Sequence, residues 1–365
     1  MESLGGLMGN VNPEFWKGKR VFLTGHTGFK GSWLSLWLQS MGAIVKGYAL
    51  SPNTNPNLFS VAKVSEGMDS EIGDITNLDQ LVNSMVEFNP EVLIHMAAQP
   101  LVRLSYVDPV GTYTTNVIGT VNVLEAARKC QNLKAIVSVT TDKCYENKEW
   151  SWGYRENEPM GGHDPYSSSK GCAELVTSAY KRSFFNSDNT ASLASARAGN
   201  VIGGGDWSDD RLIPDILRSF ENNQPVIIRN PLSTRPWQHV LEPLSGYLVL
   251  AQNLFNHGQQ FAEAWNFGPK DEDCRPVSWI LDKMVTKWGP GSAWELDKNS
   301  NPHEAGFLKL DCSKAALKLG WHPKWNLDKT LDIIINWHQL YLAGQDIKEQ
   351  CLLEIAAYQN EQHEQ

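Results

Sequence analysis

Paired cysteines are missing from this sequence. Its six cysteines (Cys130, Cys144, Cys172, Cys274, Cys312 and Cys351) form no Cys-x-x-Cys, and its nine histidines form no His-x-x-x-His. That spacing argues against a disulfide frame and against a zinc site, and it fits free thiols in a reducing cytoplasm. Positive charge is short as well: 32 Lys and Arg stand against 41 Asp and Glu, a formal net charge of -9. Such a balance disfavours non-specific binding to nucleic acid, although it leaves room for a local basic pocket. No apolar run reaches the length of a membrane span. Met1 to Asn10 carry no basic segment followed by an apolar stretch, so no signal peptide is expected. Internal repeats and low-complexity tracts are absent. What remains is an ordinary globular composition, 41% hydrophobic and 20% charged over 365 residues, long enough for two cores or one elaborated α/β unit.

Glycine is placed with more purpose. Lys19-Arg-Val-Phe-Leu-Thr-Gly-His-Thr-Gly-Phe-Lys-Gly31 is a basic-apolar run ending in Gly25, Gly28 and Gly31, and an amphipathic segment follows from Ser32 to Met41. This reads as a buried strand, a tight turn and the start of a helix. Such a turn lets backbone N–H groups and the positive end of a helix meet a pyrophosphate where larger side chains would block it. A dinucleotide cofactor, and redox chemistry with it, is the expectation. A plain strand-to-helix loop is the bland alternative, and the surrounding pattern weighs against it.

Strand-like stretches at 43–50, 71–75, 91–98, 133–140 and 191–198 alternate with helical ones at 78–88, 115–129 and 166–183. Glu91-Val-Leu-Ile-His-Met-Ala-Ala98 has the continuous apolar character of a strand covered on both faces. Repeated βα units of this size mean a right-handed, doubly wound sheet. The fold class is therefore α/β, a doubly wound parallel (Rossmann) sheet with a smaller, loop-rich C-terminal substrate-binding domain. Beyond Gly199 the run Gly203-Gly-Gly-Asp-Trp207 and the prolines Pro214, Pro225, Pro231, Pro236 and Pro243 break the alternation. The expected division is a dinucleotide-binding domain over 1–198, completed by segments near 237–268 and 325–345, and a substrate-binding domain over 199–236 and 269–324. The tail after Gln345 reads as polar and peripheral.

One strand runs into Ser138-Val-Thr-Thr-Asp-Lys-Cys-Tyr145, and Tyr166-Ser-Ser-Ser-Lys170 follows. The carboxyl edge of a parallel strand faces the crevice where ligands sit. Positions four apart share a helix face, so Lys170 can lie beside Tyr166, lower its phenol pKa by adjacent charge and hold the cofactor ribose. A Tyr-x-x-x-Lys alone says little; its place after the glycine turn and after Thr141 gives it weight. Taken alone, Asp142 and Lys143 read as a surface ion pair, and any one of Arg197, Arg211, Arg229 and Arg235 as a solvated charge. His95 reads as a satisfied core histidine, and Trp33, Leu34, Trp37 and Leu38 as core packing.

With these blocks in order, the chain resembles the extended short-chain dehydrogenase/reductases, and among them the nucleotide-sugar 4,6-dehydratases of the CDP-glucose group. The resemblance runs from about Phe15 to about Leu342 and rests on Thr24–Gly31, Met96–Pro100, Thr141–Tyr145, Arg197–Trp207 and Arg235–Val240. It implies NAD as cofactor, a nucleotide-sugar substrate, a homodimer or homotetramer, and no nucleic-acid or membrane partner. It implies a cytoplasmic lyase of bacterial surface deoxysugar synthesis. CDP-D-glucose would become CDP-4-dehydro-6-deoxy-D-glucose by transient oxidation at C4, elimination of water across C5–C6 and hydride return to C6. The rival readings are a dehydratase of dTDP-glucose or GDP-mannose, a 4-epimerase or simple nucleotide-sugar reductase, and a dinucleotide-sensing protein without turnover.

Residue by residue, the resemblance makes Tyr166 the base toward the C4 hydroxyl, tuned by Lys170, with Thr141 sharing the hydrogen bond. Lys143 would face C5, as base or as a charged stabiliser of the enolate, and Asp142 would be the acid at the C6 hydroxyl. Gly25, His26, Thr27, Gly28, Phe29, Lys30 and Gly31 would line the pyrophosphate, with His26 and Lys30 crowding it. Asp74 and Ile75 would bracket the adenine, and Ala97, Ala98, Gln99 and Asn116 would complete the cofactor site with Tyr166 and Lys170. The strand ending at Ser51 offers no carboxylate for the ribose, and Ser51 or Asn53 is the expected substitute. Gln99, Arg103, Asn200, Arg211 and Arg235 form the expected substrate-binding set, since a guanidinium suits a diphosphate bidentately. No metal is expected.

Overall fold

A computed structural model of the chain describes residues 9–297 and 306–361. Six strands, β1 (Arg20–Thr24), β2 (Ile44–Ala49), β3 (Asp69–Ile72), β4 (Val92–His95), β5 (Ala135–Val139) and β6 (Ser192–Arg197), join a seventh, Ala264–Asn266, in one sheet. The seventh strand lies beside β6, followed by β5, β4, β1, β2 and β3, and every pairing is parallel. The order reverses between β1 and β4, where Thr24 pairs with His95. In open sheets of this kind, the crevice beyond the strand ends at such a reversal is where ligands bind.

Side-chain alternation assigns each strand residue to a layer. Val21 and Leu23 of β1 point to one core, with Trp33, Trp37, Leu244, Leu248 and Ile355. Phe22 points to the opposite core, with Leu81, Met85, Leu93, Leu124 and Ile136. The inner strands are therefore buried on both faces, which explains their unbroken apolar sequence. At the edge, β3 is polar and half-exposed, and Lys46 bridges Asp69 and Glu71 at 3.0 and 3.1 Å. An edge strand dressed with charge resists pairing with other chains.

The structure departs from the sequence reading at four places. β3 begins and ends earlier than the expected 71–75. The helix expected over 115–129 starts as a wider π-type turn, Thr114–Ile118, before the regular Gly119–Ala127. Asn116 sits in that turn, where its amide accepts from the Gln99 N–H at 2.8 Å and donates to Ser169 Oγ at 2.8 Å. Helix Leu327–Leu342 does not simply complete the first domain. Leu327, Leu331, Ile334 and Ile335 pack with Ile213, Ile216, Phe220 and Met284 in a separate core, while Trp337 reaches the large core.

The fourth departure is the tail. Helix Ile347–Asn360 buries Ile347, Cys351, Ile355 and Tyr358, spaced to line one helical face. That face rests on the helix Phe29–Ser40, with the Trp37 and Tyr358 rings edge-on at 5.7 Å. Polar residues cover the outward side and disguise the helix as a loose end. Among the described residues, no helix is long and apolar enough to cross a membrane. Ile355 is 1% exposed, so Ile355→Ala should cost about 2–4 kcal/mol in denaturant unfolding. A peripheral tail would give a change below about 0.5 kcal/mol.

Candidate active site

The three glycines after β1 have different reasons to be glycine. Gly25 has φ 80°, and a Cβ there would lie 2.7 Å from the Ala97 nitrogen. A Cβ on Gly31 would lie 2.0 Å from the Gly25 carbonyl oxygen. The fold itself requires both. Gly28 is different, because a Cβ there would meet only the Gly25 oxygen at 3.5 Å, an ordinary contact. It caps the helix Phe29–Ser40 without a side-chain hydrogen bond, which leaves the first N–H groups without a partner from their cap. This is the cradle a pyrophosphate requires, and the residues fit a dinucleotide.

Around the cradle, Thr24 Oγ1 accepts from the Met96 and Ala97 N–H groups, both at 3.1 Å, and pins β1 to the loop holding Ala97 and Ala98. His95 bonds Thr24 Oγ1 at 2.8 Å and Thr120 Oγ1 at 3.2 Å, and burial lowers its pKa to about 3, so it is a neutral, satisfied core histidine. Thr27 Oγ1 donates to the Leu50 carbonyl at 2.7 Å, tying the turn to the end of β2. Asp74 Oδ1 accepts from the Thr76 N–H at 2.8 Å, and Asn122 holds the Ile75 carbonyl at 3.0 Å, which fixes the loop expected at the adenine. Phe29 lies against Gly203.

His26 does not crowd the pyrophosphate with its ring. The side chain is fully buried under β2 and reaches Ser70 Oγ at 2.8 Å, and burial lowers its pKa to about 4. Gly47 makes the room, since a Cβ there would lie 2.3 Å from the His26 ring. Only the backbone of His26 remains for a cofactor. Lys30 extends further than expected. Its Nζ donates to Tyr247 Oη at 3.3 Å, and burial, then Lys170 and Arg211, lower its pKa to about 7 against the pull of Asp142. Lys30 thus belongs to the charge cluster around Asp142 and Lys170 as well as to the glycine turn.

That cluster forms where β5 ends. Thr141 caps the short turn Asp142–Cys144, donating to Asp142 Oδ1 at 2.9 Å and accepting from the Lys143 N–H at 3.4 Å. Asp142 is 1% exposed and its Oδ2 has no hydrogen-bond partner. Burial raises its pKa, against Lys143, Thr141 and Arg235. A Cβ on Gly199 would lie 1.8 Å from that oxygen, so the glycine of Arg-Ala-Gly-Asn is what admits the carboxyl. The pair Asp142–Lys143 is no surface bridge. A carboxyl raised by burial holds its proton to higher pH than an exposed one, which suits it to act as an acid.

Tyr166 and Lys170 open the helix Pro165–Phe184, whose N-cap Asp164 accepts from the Ser167 N–H at 2.9 Å. Burial pushes the Tyr166 phenol up to about 12, against a hydrogen bond with Thr141 and the charge of Arg211. This phenol is raised where a lowering by Lys170 was expected, because the ring is nearly fully buried. Lys170 Nζ donates to the Val139 carbonyl at 3.2 Å, and burial lowers it to about 8 while Glu174 pulls upward.

The expected substrate residues divide. Arg211 reaches the Tyr166 phenol and Arg235 the Asp142 carboxyl through their charge. Asn200 has φ 44° and a buried Oδ1 without a partner, next to Gly199. Arg103 stands apart, bonded to Asp210 Oδ1 at 2.8 Å, with Arg229 3.9 Å from the same atom. The Gln99 side chain does not face a ligand. Its amide nitrogen donates to the Leu101 carbonyl and Thr112 Oγ1, and its oxygen accepts from the Leu101 N–H, so its own loop uses both ends. The sequence reading missed Glu174 altogether, although it lies one helical turn beyond Lys170. Arg197, read as a possible solvated charge, is its buried partner at 2.7 Å. Gly28→Ala should leave thermal stability within about 1 kcal/mol and weaken NAD binding at least tenfold in a fluorescence titration; unchanged affinity would remove the cradle from the cofactor site.

The comparisons with known proteins agree with this geometry. The family model described as GDP-mannose 4,6 dehydratase matches residues 22–334. The CDP-glucose 4,6-dehydratase of Salmonella typhimurium strain LT2 is 63% identical over 341 residues, covering 92% of this chain and 95% of that one. Among solved structures, a dTDP-glucose 4,6-dehydratase from Bacillus anthracis in complex with NAD has a TM-score of 0.73 at 21% identity, over 91% of this chain and 100% of that one. A UDP-glucose 4-epimerase from Thermus thermophilus, also with NAD, has a TM-score of 0.76 at 22% identity, over 88% and 99%. At that identity these two structures speak for the fold. By the family model and the Salmonella relative together, this chain belongs to the GDP-mannose 4,6 dehydratase family of extended short-chain dehydrogenase/reductases.

Proposed function

We propose that the chain is a hydro-lyase converting CDP-D-glucose to CDP-4-dehydro-6-deoxy-D-glucose and water. The observation that carries this is the buried Asp142 carboxyl, with one oxygen unpartnered, beside Thr141 and in the field of Tyr166. A 4-epimerase has no use for an acid at C6. The CDP-glucose assignment is supported by the Salmonella relative at 63% identity.

Gly25, Gly28 and Gly31 would hold NAD, which when bound would supply reversible hydride transfer. The chain's own residues do the rest. Tyr166, as the phenolate that Thr141, Arg211 and Lys170 stabilise, takes the proton of the C4 hydroxyl and becomes the neutral phenol. A C4 carbonyl makes the C5 proton acidic, and Lys143 takes it. Asp142 gives its proton to the C6 hydroxyl, which leaves as water. Arg235 balances the new carboxylate and, with Arg211 and Asn200, holds the sugar diphosphate. The acid form of Asp142 exists below its raised pKa, so turnover falls as pH rises through that value.

The supporting test is incubation with NAD and CDP-glucose, dTDP-glucose or GDP-mannose, scored by mass loss of one water. Turnover of CDP-glucose alone is expected; equal turnover of dTDP-glucose overturns the base assignment, and a C4 epimer with its C6 hydroxyl intact overturns the reaction. Asp142→Asn should lower dehydration about 100-fold or more while C5 proton exchange continues.

The same reading gives one face to a second copy of this chain. Val107, Val110, Ile118 and Leu175 are more than half exposed on neighbouring helical segments. Between these segments lies a groove of about 380 Å³ lined by Pro109, Tyr113, Val117 and Cys172. Contiguous apolar surface of this kind marks an association site, and helices 119–127 and 165–184 can meet their copies in a four-helix contact. Free thiols at all six cysteines support a reducing cytoplasm as its location. Leu175→Glu should convert the assembly to monomers in light scattering; an unchanged mass would place the contact elsewhere.

A further inference from the structure

We infer that Glu174 is a positioning residue for this reaction, a single buried anion that sets Lys170 and the Thr141–Asp142 turn against the strand leading to Asn200. Glu174 and Arg197 are each 4% exposed. Glu174 Oε1 accepts from Thr140 Oγ1, the residue immediately before Thr141. Its Oε2 accepts from Ser195 Oγ and from Arg197 Nη2, both at 2.7 Å and both on β6. Arg197 Nη1 in turn donates to Tyr145 Oη at 2.7 Å and to the Glu156 carbonyl at 3.0 Å. Tyr145 Oη donates to Asn266 Oδ1 at 2.7 Å on the seventh strand. The chain of bonds therefore holds both ends of the 140–145 segment. It also holds the strand that continues into Gly199, whose bare Cα admits Asp142.

Stability does not account for this arrangement. Replacing a buried ion pair by apolar residues of similar volume is often neutral or stabilising. What apolar residues would not supply is a negative charge one helical turn from Lys170. Burial by itself would raise Glu174, yet Arg197 and the Thr140 and Ser195 hydroxyls outweigh it and hold the carboxyl below the usual range. Lys170 is faced by that anion, by Lys30 from the glycine-turn helix, by neutral His95 from β4, and by the Cys144 thiol, which burial holds protonated. Tyr166 lies on the same helix. Glu174 thus opposes the loss of the Lys170 proton that burial and Lys30 favour.

The inference rests on the roles given above to Tyr166 and Lys170. Its test is the titration of Lys170, followed by NMR of nitrogen-labelled lysine and identified by the signal lost in Lys170→Arg, beside the pH–rate profile of C5 proton exchange in CDP-glucose, a step that does not use the Asp142 proton. In Glu174→Gln the Lys170 titration and the alkaline limb should both move down by about one pH unit, with KM for CDP-glucose little changed. Glu174→Gln/Arg197→Met leaves no orphaned guanidinium and carries the test if the single variant unfolds. Glu242→Gln is the control. It removes another fully buried carboxylate, bonded to the Trp325 N–H and Tyr358 Oη, and should lose stability while keeping the wild-type limb. A folded Glu174 variant whose Lys170 titrates as in the wild type overturns the inference. The NMR arm needs no substrate, so a wild-type protein inert toward CDP-glucose would sink the substrate assignment and still leave this inference decided.

Discussion

The contact between Glu174 and Arg197 joins the parts of the molecule that have to agree. The helix bearing Tyr166 and Lys170, the segment after β5 and the neighbouring parallel strand β6 meet at the crevice. Their backbones pair only through the sheet, which fixes strands but not the loops beyond them. A carboxylate that takes one bond from Thr140 and two from β6 converts that loose meeting into a fixed one. Burying two charges is costly, and losing one partner is costlier still. Register errors at this junction are therefore penalised more heavily than errors in apolar packing, where a neighbouring side chain can fill in.

Where the ion pair holds by attraction, glycine shapes by omission. Gly25, Gly31, Gly47 and Gly199 each stand where a Cβ would strike backbone, ring or carboxyl at under 3 Å. Those four are demanded by the protein's own packing. Gly28 is not, and that difference separates a cofactor surface from a folding requirement. Electrostatics follow the same division. A chain with a net charge of -9 gathers Lys30, Lys143, Lys170, Arg211 and Arg235 at one crevice, with Asp142 among them. Acidity elsewhere keeps the surface unattractive to polyanions, while the crevice favours a small one.

The fold was legible wherever a local pattern carried the information. Central strands declared themselves by unbroken apolar runs, and the glycine turn by spacing. Thr141, Asp142 and Lys143 were legible because they are consecutive, and Tyr166 with Lys170 because four residues make one helical turn. The failures are of another kind. His26 looked like an obstacle because nothing in its own segment reveals that Gly47, on the next strand, opens a slot for its ring. Gln99 looked like a ligand contact because its loop partners, Leu101 and Thr112, gain meaning only once the loop closes. Glu174 and Arg197 are 23 residues apart and meet only across the helix-to-strand crossing. The tail was misjudged for a simpler reason: a narrow apolar stripe on a polar helix barely raises the average.

The seating of helix Ile347–Asn360 on helix Phe29–Ser40 has a consequence for how the protein comes into being. The glycine turn emerges early from the ribosome, yet the back of the helix that bears it is covered by a segment translated much later. A surface ion pair, Lys348 with Glu66, bridges 282 residues. Until that segment arrives, Trp37 and its neighbours must wait exposed, so nascent chains have reason to engage a chaperone there. The two segments thus mature together, and the cofactor turn lacks its back wall until both are in place.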